Sequence, residues 1–322
     1  MPKTVVLAEK PSVGRDIARV LKCTKKGNGF FEGDKYIVTW ALGHLVTLAD
    51  PEAYDAKFKA WKLEDLPMLP NETKLVVIKN TSKQYSAVKA QLTRKDVNEI
   101  VIATDAGREG ELVARWILEK ARIQKPVKRL WISSVTDRAI KEGFAKLRDG
   151  KEYENLYYSA VARAEADWVV GMNATRALTT KHNAQLSCGR VQTPTLAMIA
   201  KREEEIRSFV PKEYYGMKAV TEKGFQLVWQ DAKTKERRNF NKPAIETLHS
   251  KVKNQDAKVT DINKTEKKSY APALYDLTEL QRDANRIFGY SAKETLSILQ
   301  RLYEQHKIVT YPRAVSIKNM CA

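Results

Sequence analysis

Short apolar runs rich in β-branched residues alternate with helix-like segments over the first 150 residues, and this alternation constrains the fold more than any other feature. Five runs have the composition of buried strands: residues 4–8, 35–40, 74–78, 99–103 and 127–132. Helical spacing follows the first run, where Ser12 is a candidate cap, and recurs over residues 112–121. Because strands that alternate with helices build a mainly parallel sheet covered on both faces, we predict an α/β domain over residues 1–150.

Beyond residue 150 the pattern becomes almost wholly helical as far as residue 213. Two helices are predicted there, over residues 153–180 and 194–206, because breakers are few and the apolar spacing is near 3.6. The sequence Ser187-Cys188-Gly189-Arg190 separates them.

Residues 214–272 return to β-like alternation, and helices follow over residues 276–305. Strands are predicted at residues 215–221, 225–229 and 257–262, and a last strand-like run covers residues 308–311. These changes predict four domains: residues 1–150, 151–213, 214–272 and 273–322.

The charge balance indicates a polyanionic partner. There are 57 Lys and Arg residues against 39 Asp and Glu residues, a formal net charge of +18, which favours nucleic acid or an anionic membrane surface. No apolar run approaches the roughly 20 residues that span a bilayer, and the N-terminus lacks a signal-peptide pattern. The three cysteines are far apart, so neither a disulfide framework nor a zinc ribbon is expected. We predict a soluble, cytoplasmic protein that binds nucleic acid.

Carboxylates follow two of the predicted strands. Glu9 ends the first, and Asp105, Glu109 and Glu111 follow the run at residues 99–103. Ligand sites in open α/β sheets form beyond the carboxyl ends of strands, so these side chains can converge. Crowded carboxylates repel unless a cation lies between them, and hard oxygen ligands select Mg²⁺ or Mn²⁺. The alternative is a solvated acidic loop at a helix N-terminus, where acidic side chains are favoured.

Cations accompany these carboxylates, since Lys10 directly follows Glu9 and Arg108 lies within the acidic run. A metal site with fixed cations beside it is suited to a phosphodiester, whose negative charge increases during phosphoryl transfer.

The same residues resemble the TOPRIM module, an α/β fold shared by topoisomerases, bacterial primases and some nucleases. The motifs are Ala8-Glu9-Lys10-Pro11-Ser12 and Thr104-Asp105-Ala106-Gly107-Arg108-Glu109-Gly110-Glu111. Five later motifs resemble type IA DNA topoisomerases, in that family's order and closest to its topoisomerase III branch: Arg163-Ala164-Glu165-Ala166-Asp167-Trp168, Gly171-Met172-Asn173-Ala174-Thr175-Arg176, Gly189-Arg190-Val191-Gln192-Thr193-Pro194-Thr195-Leu196, Leu274-Tyr275-Asp276-Leu277-Thr278 and Thr310-Tyr311-Pro312-Arg313.

The resemblance implies a TOPRIM domain, a helical DNA-binding domain, a β-rich arch and the start of a nucleophile domain, in the order of the four predicted domains. Together they would form an incomplete toroid. It also implies Mg²⁺-dependent, ATP-independent cleavage of one DNA strand, strand passage and religation by a cytoplasmic, nucleoid-associated monomer. The implied partners are single-stranded DNA and negatively supercoiled or catenated duplex DNA.

Roles for individual residues follow from the resemblance. Tyr311, which taken alone would be assigned to packing, becomes the nucleophile that attaches to a 5′-phosphate. Arg313 would contact the same phosphate, Glu9 would exchange a proton with the leaving 3′-oxygen, and Lys10 would stabilise the developing charge. The implied Mg²⁺ ligands, for which Mn²⁺ is an alternative metal, are Glu9, Asp105 and Glu109.

DNA-binding candidates lie on the helical segment and at its break. Gly189, Arg190, Gln192 and Thr193 resemble a phosphate cradle at the start of a helix, although an ordinary helix junction has the same pattern. Arg163 and Arg176, on the preceding helix, could line the same groove or pair with acidic neighbours.

The chain departs from the family pattern at two places. Gly107 stands where the family usually has a second Asp, which predicts fewer carboxylate ligands; Glu111 could compensate or be structural. After Arg313 the chain reads Ala314-Val315-Ser316 instead of the family's Thr-Asp-Ser, and it stops nine residues after Arg313. We therefore expect a truncated chain that does not relax supercoiled plasmid.

Three functions remain open at this stage. The chain could be a type IA topoisomerase, a TOPRIM nuclease or primase-like enzyme in which Tyr311 has no role, or a fragment that binds single-stranded DNA without turnover.

Overall fold

The structure, a computed structural model, describes residues 2–312, which form two compact units. The second unit is Pro194–Ala271, and the first comprises the described residues on either side of it. The predicted division into four domains remains a prediction.

A central sheet organises the first unit. Within residues 2–312 it has seven strands: β1 (Lys3–Ala8), β2 (Lys25–Gly27), β3 (Phe30–Glu32), β4 (Tyr36–Trp40), β7 (Val97–Ala103), β8 (Val127–Arg129) and β9 (Arg148–Asp149), in the order β2-β3-β4-β1-β7-β8-β9. A separate antiparallel pair joins β5 (Val46–Leu48) to β6 (Leu75–Val77). The four central strands pair in parallel, as predicted. Both edges are antiparallel. At one edge, short turns join β2, β3 and β4 into hairpins, where a parallel pairing would need a long crossover. At the other edge, β8 and β9 are joined through the helix Asp137–Ala145.

Helices cover both faces of this sheet, which confirms the predicted α/β architecture. They are α1 (Pro11–Val20), α2 (Ser82–Leu92), α3 (Arg108–Lys120), α4 (Asp137–Ala145) and the long α5 (Glu154–His182). Alternate residues of β1 enter different cores. Val5 and Leu7 pack with buried residues of α2 and α3, while Val6 and Ala8 pack with buried residues of α1 and α4.

The start of α1 differs from the prediction that Ser12 caps it. The helix begins at Pro11 after an extended Lys10, and no side-chain cap bond forms. Proline suits the first helical position because its missing N–H would have no helical partner there.

The last described helices are α8 (Leu277–Phe288) and α9 (Ala292–Arg301), followed by a π-helical turn, Leu302–His306. The predicted strand at residues 308–311 is wrong, since these residues belong to no described strand. Instead, the backbone of Tyr311 is bonded to the segment that follows β8: its N–H donates to the Ser133 carbonyl at 2.8 Å.

The second unit contains most of α6 (Gln192–Arg207), a hairpin of β10 (Lys218–Val220) and β11 (Gln226–Val228), and α7 (Lys242–Val252). The strand predicted at residues 257–262 does not form in the described chain. The strand-like composition was local, but a strand needs a hydrogen-bonding neighbour.

Across residues 2–312, every helix is too short or too polar to cross a lipid bilayer.

Candidate active site

A cleft of about 1270 Å³ lies at the carboxyl ends of β1 and β7, within the first unit. Glu9, Asp105 and Glu109 line it, together with Arg163 of α5 and Tyr311. The carboxylates and the tyrosine that the sequence singled out separately therefore share one cavity.

Glu9 and Asp105 adjoin because β1 and β7 end side by side, with Ala8 opposite Ala103. The Asp105 backbone N–H donates to Glu9 Oε2 at 3.0 Å. The convergence of carboxylates expected from two strand ends is thus present for this pair.

Burial and, next in size, the negative charge of Asp105 together raise the pKa of the Glu9 carboxyl to about 7. The Asp105 N–H and the cations Lys10 and Arg129 oppose this shift. Near neutral pH, Glu9 therefore exists in both its protonated and its ionised form, which is the condition for an efficient proton donor and acceptor.

A stability measurement tests this pKa. Because the folded pKa lies above the ordinary value of 4.5, the cost of ionising Glu9 is absent below pH 4.5, grows as pH rises, and is complete above pH 7. We expect Glu9→Gln, measured by urea unfolding in EDTA, to gain up to about 3 kcal/mol over the parent between pH 4.5 and pH 8. A difference that stays constant over this range would show that the Glu9 pKa is ordinary.

Lys10 contacts carboxylates from two directions. Its Nζ donates to Glu304 Oε1 at 2.8 Å and lies 3.6 Å from Asp105 Oδ2. Burial opposes its charge, but Asp105 and Glu304 outweigh burial and raise the pKa of Lys10 above its ordinary value. Lys10 is therefore a permanent cation beside the carboxylates.

Arg129 of β8 holds the loop that carries Asp105. Its side chain is fully buried, and its guanidinium donates to the backbone carbonyls of Thr104 and Asp105, each at 2.8 Å. It also donates to the Ile102 and Leu130 carbonyls and to Glu111 Oε1. One buried cation thus fixes the backbone on both sides of the metal-candidate carboxylate.

Glu111 is fully buried between two arginines, accepting from Arg129 and, at 2.9 Å, from Arg115. It does not line the cleft. Of the two roles that the sequence left open for Glu111, the contacts support the structural one.

Two glycines in the acidic loop differ in what they require. A Cβ on Gly110 would lie 2.1 Å from the Asp105 carbonyl oxygen, so α3 can approach the loop only with glycine there. A Cβ on Gly107 meets nothing within 4 Å, and its backbone is extended, with φ −174°. Gly107 therefore leaves room for a larger side chain.

Glu109 is turned toward arginine. It is half exposed, and its Oε1 lies 3.4 Å from Arg163 Nη1. Arg163 also pairs with Asp167 at 3.7 Å, and Asp167 accepts from Arg190 at 2.7 Å. This chain of alternating charges links the acidic loop to the start of α6, and its arginines are partly exposed.

The break between α5 and α6 contains the predicted phosphate cradle. Gly189 N–H donates to Thr193 Oγ1 at 3.1 Å, Gln192 Nε2 donates to Ser187 Oγ at 3.3 Å, and α6 begins at Gln192. The turn before a helix start is present as predicted; its role in binding phosphate remains a prediction.

Arg176 lies apart from the other DNA-binding candidates. It is 6% exposed, donates to the Phe58 carbonyl and sits 5.0 Å from the Trp61 ring centroid. It does not line the cleft, so the structure does not bring it together with Arg163 and Arg190.

Tyr311 contacts the cleft wall through its ring as well as its backbone. Its ring centroid is 5.7 Å from that of Tyr303, at an interplanar angle of 64°. Tyr303 is buried, and both burial and the nearby Asp105 raise the pKa of its phenol. Arg313, the predicted phosphate contact, lies outside the described residues.

Sequence reasoning missed three residues that shape the site: Arg129, Tyr303 and Glu304. Arg129 carried a signal, because a charge inside an apolar strand must find a partner. Tyr303 and Glu304 lie eight and seven residues before Tyr311, and neither had a distinguishing pattern.

The donor set partly fits a divalent cation. Glu9 and Asp105 are adjacent carboxylates, and the negative charge of Asp105 raises the cost of ionising Glu9, which a cation between them would relieve. Glu109 faces Arg163 instead, and residues 2–312 contain no group of three or more metal-ligating side chains arranged around one point. Two carboxylates suit Mg²⁺, which usually keeps several water ligands.

Comparisons with known proteins give the following matches. The family model described as Toprim domain matches residues 4–135, and the one described as DNA topoisomerase matches residues 151–318. DNA topoisomerase 3 of Bacillus subtilis (strain 168) is 72% identical over 316 residues, and that of Bacillus licheniformis is 70% identical. Each alignment covers 98% of this chain but only 43% of the relative.

Among solved structures, full-length topoisomerase I from Thermotoga maritima matches with a TM-score of 0.66. The match covers 97% of this chain and 49% of that chain, at 24% sequence identity. At this identity the likeness concerns the fold.

Proposed function

Because this chain belongs to the type IA DNA topoisomerase family, we propose that it carries that family's strand-breaking centre, with Tyr311 as the nucleophile. The observation that carries the proposal is that Glu9, Asp105 and Tyr311 all line the same cleft. The chain spans less than half the length of the curated relatives it matches. Relaxation of negative supercoils and decatenation by strand passage, in the cytoplasm on nucleoid DNA, are proposed for proteins of the relatives' length, whereas for the 322-residue chain we propose cleavage and religation at Tyr311.

In the proposed reaction the Tyr311 oxygen forms a bond to phosphorus as the bond to the 3′-oxygen breaks. The phenol gives its proton to solvent water, and the leaving 3′-oxygen gains one from Glu9. Glu9, with a pKa of about 7, is suited to supply that proton and to take it back during religation. The energy of the phosphodiester is kept in the phosphotyrosine, so resealing needs no ATP.

Lys10, a divalent cation and Arg129 would have different roles in this reaction. Lys10 remains charged because Asp105 and Glu304 surround it, and it would stabilise the additional negative charge on the phosphate oxygens. A divalent cation held by Glu9 and Asp105 would supply further charge neutralisation when bound. Arg129 acts indirectly, by fixing the backbone of Asp105.

The DNA would lie along the partly exposed arginines. Arg163 lies between Glu109 and Asp167, and Arg190 pairs with the same Asp167, so both guanidinium groups are oriented, and both remain partly exposed. Phosphates of a single strand can pair with these groups and with the backbone N–H groups of the turn at Gly189.

One experiment separates this proposal from its alternatives. The 322-residue protein is mixed with Mg²⁺ and single-stranded oligonucleotides labelled at either the 5′ or the 3′ end, and the reaction is stopped with detergent. Labelled protein from the 3′-labelled strand supports a 5′-phosphotyrosine. Free fragments without labelled protein indicate a TOPRIM nuclease, and binding without cleavage indicates a DNA-binding protein.

Metal binding gives a second test that does not depend on activity. Gly107 has open space around it and an extended backbone, so Gly107→Asp should fold normally and add a carboxylate beside Asp105. We expect Mn²⁺ affinity, measured by calorimetry, to rise about tenfold, since affinity for hard cations increases with the number of charged oxygen ligands.

The control for this change is Gly107→Asn, which adds a side chain of the same shape without the charge. Equal affinity in Gly107→Asp and Gly107→Asn would contradict a metal site at Glu9 and Asp105.

A further inference from the structure

Trp131 is an exposed tryptophan inside the candidate active-site cleft, and the reaction described above does not use it. It follows β8, is 36% exposed and lines the cleft together with Glu9 and Tyr311. It lies two residues before Ser133, whose carbonyl accepts the Tyr311 N–H. A large apolar surface is therefore exposed close to the attachment point of the nucleophile.

The Trp131 ring is held in place from one side. Tyr153 stacks on it with a centroid separation of 4.7 Å and an interplanar angle of 23°. The Arg129 guanidinium lies 4.9 Å from the Trp131 centroid and 6.0 Å from that of Tyr153. The separation of 6.0 Å is far shorter than the sum of the other two, so Arg129 and Tyr153 do not lie on opposite sides of the Trp131 ring.

A guanidinium on the face of Trp131 opposite Tyr153 would be much farther from Tyr153 than 6.0 Å. Tyr153 and Arg129 therefore both leave that face uncovered, in agreement with the exposure of the ring. Tyr153 and Arg129 are themselves buried, so the indole rests on a rigid support. An oriented aromatic ring with a free face is the usual platform for an unpaired base.

The charges around the cleft suit the rest of a nucleotide. Arg108 and Arg163 line the same cavity, and each guanidinium can pair with a phosphate while a base lies on the ring. An apolar ligand of similar size would make no contact of opposite charge with these arginines. The combination of ring and cations thus favours single-stranded nucleic acid.

We propose that Trp131 stacks on one base of the DNA strand in the cleft and so fixes the register of that strand relative to Tyr311. This inference rests on the proposed function and deepens it. Stacking accepts any base, so Trp131 contributes affinity and the choice of cleavage position, while base identity has a smaller effect. Trp131 is a positioning residue, since it touches no reacting atom.

The test uses binding to protein that cannot cleave. In the Tyr311→Phe chain, affinity for a fluorescein-labelled single strand is measured by anisotropy, and abasic sites are placed at successive positions of the strand. The scan is repeated with Trp131→Leu, with the conservative Trp131→Phe, and with Trp61→Leu as a control. Trp61 is 47% exposed but does not line the cleft.

We expect one abasic position to weaken binding about tenfold when Trp131 is present. Trp131→Leu should weaken binding to the intact strand by a similar factor and should abolish the effect of that abasic site, because both changes remove the same contact. Trp131→Phe should retain most of the affinity, and Trp61→Leu should match the parent. The abasic scan of the parent needs no change at Trp131 and so stands even if Trp131→Leu unfolds.

Three outcomes would each overturn the inference. The losses from the abasic site and from Trp131→Leu could add when the two are combined, the abasic scan could show no sensitive position, or the parent could fail to bind single strands. The proposed function is judged separately. A Tyr311 adduct whose position is unaffected by Trp131→Leu retains the function and removes the inference. Trp131-dependent binding without any adduct supports the inference about Trp131 and contradicts the proposed function.

Discussion

Tyr311→Phe is expected to abolish the covalent attachment of the chain to DNA, a loss on the order of a thousandfold or more. The substitution removes only the phenolic oxygen. The backbone N–H bond to the Ser133 carbonyl and the ring packing on Tyr303 remain available to phenylalanine. Single-strand binding should therefore be unchanged while labelled protein from the 3′-labelled oligonucleotide disappears.

Tyr290→Phe is the matched control, because Tyr290 is also partly exposed but lies after α8 and outside the cleft. It should form adduct as the parent does. Adduct that survives Tyr311→Phe would show that another side chain is the nucleophile. Free cleavage that survives without adduct would exclude a role for Tyr311 and favour a TOPRIM nuclease.

Glu111→Ala is expected to destabilise the first unit by about 3–5 kcal/mol, the usual cost of leaving a buried charge without its partner. Arg129 is fully buried, and Glu111 is its only carboxylate contact among the hydrogen bonds of residues 2–312. A loss of this size is a large share of a typical folding free energy. Urea unfolding followed by tryptophan fluorescence measures it.

Glu142→Ala is the comparison for this prediction. Glu142 pairs with Arg138 at 2.7 Å, but both side chains are exposed, so its removal should leave the free energy of unfolding almost unchanged. If Glu111→Ala proves as mild as Glu142→Ala, the four backbone carbonyls hold Arg129 without help from Glu111. Since Arg129 fixes the loop at Asp105, Glu111→Ala should also weaken Mn²⁺ binding at temperatures where the protein remains folded.

The approach of Glu9 to Asp105 was predictable because it follows from backbone periodicity. Apolar β-branched runs marked β1 and β7 as buried parallel strands, and parallel strands end at a common edge of the sheet. Any acidic residue directly after such strands must lie near that edge. The same reasoning failed for residues 257–262, where the composition suits a strand but no neighbouring strand exists in the described chain.

Side-chain partners could not be predicted in this way. Glu109 belongs to the same acidic run as Asp105, yet it faces Arg163, 54 residues later in the sequence. Lys10 donates to Glu304, 294 residues away. The spacing of residues within a short segment gives no information about partners so far away in the sequence. The folding of the elements in between decides which side chains come into contact.

The sequence alone determined the α/β architecture and the edge of the sheet where Glu9 and Asp105 converge. The choice of Tyr311 as nucleophile comes from resemblance and stays a prediction. Tertiary structure decided that Tyr311 lies in the same cleft, that Arg129 and Glu111 hold the acidic loop, and that the partly exposed Trp131 lines that cleft together with Tyr311. The periodicity of apolar residues in the sequence determines where strands and helices form and which side chains face each side of a sheet. Which side chains are desolvated together depends on packing between distant segments, and desolvation is what gives Glu9 its raised pKa and Arg129 its need for a partner.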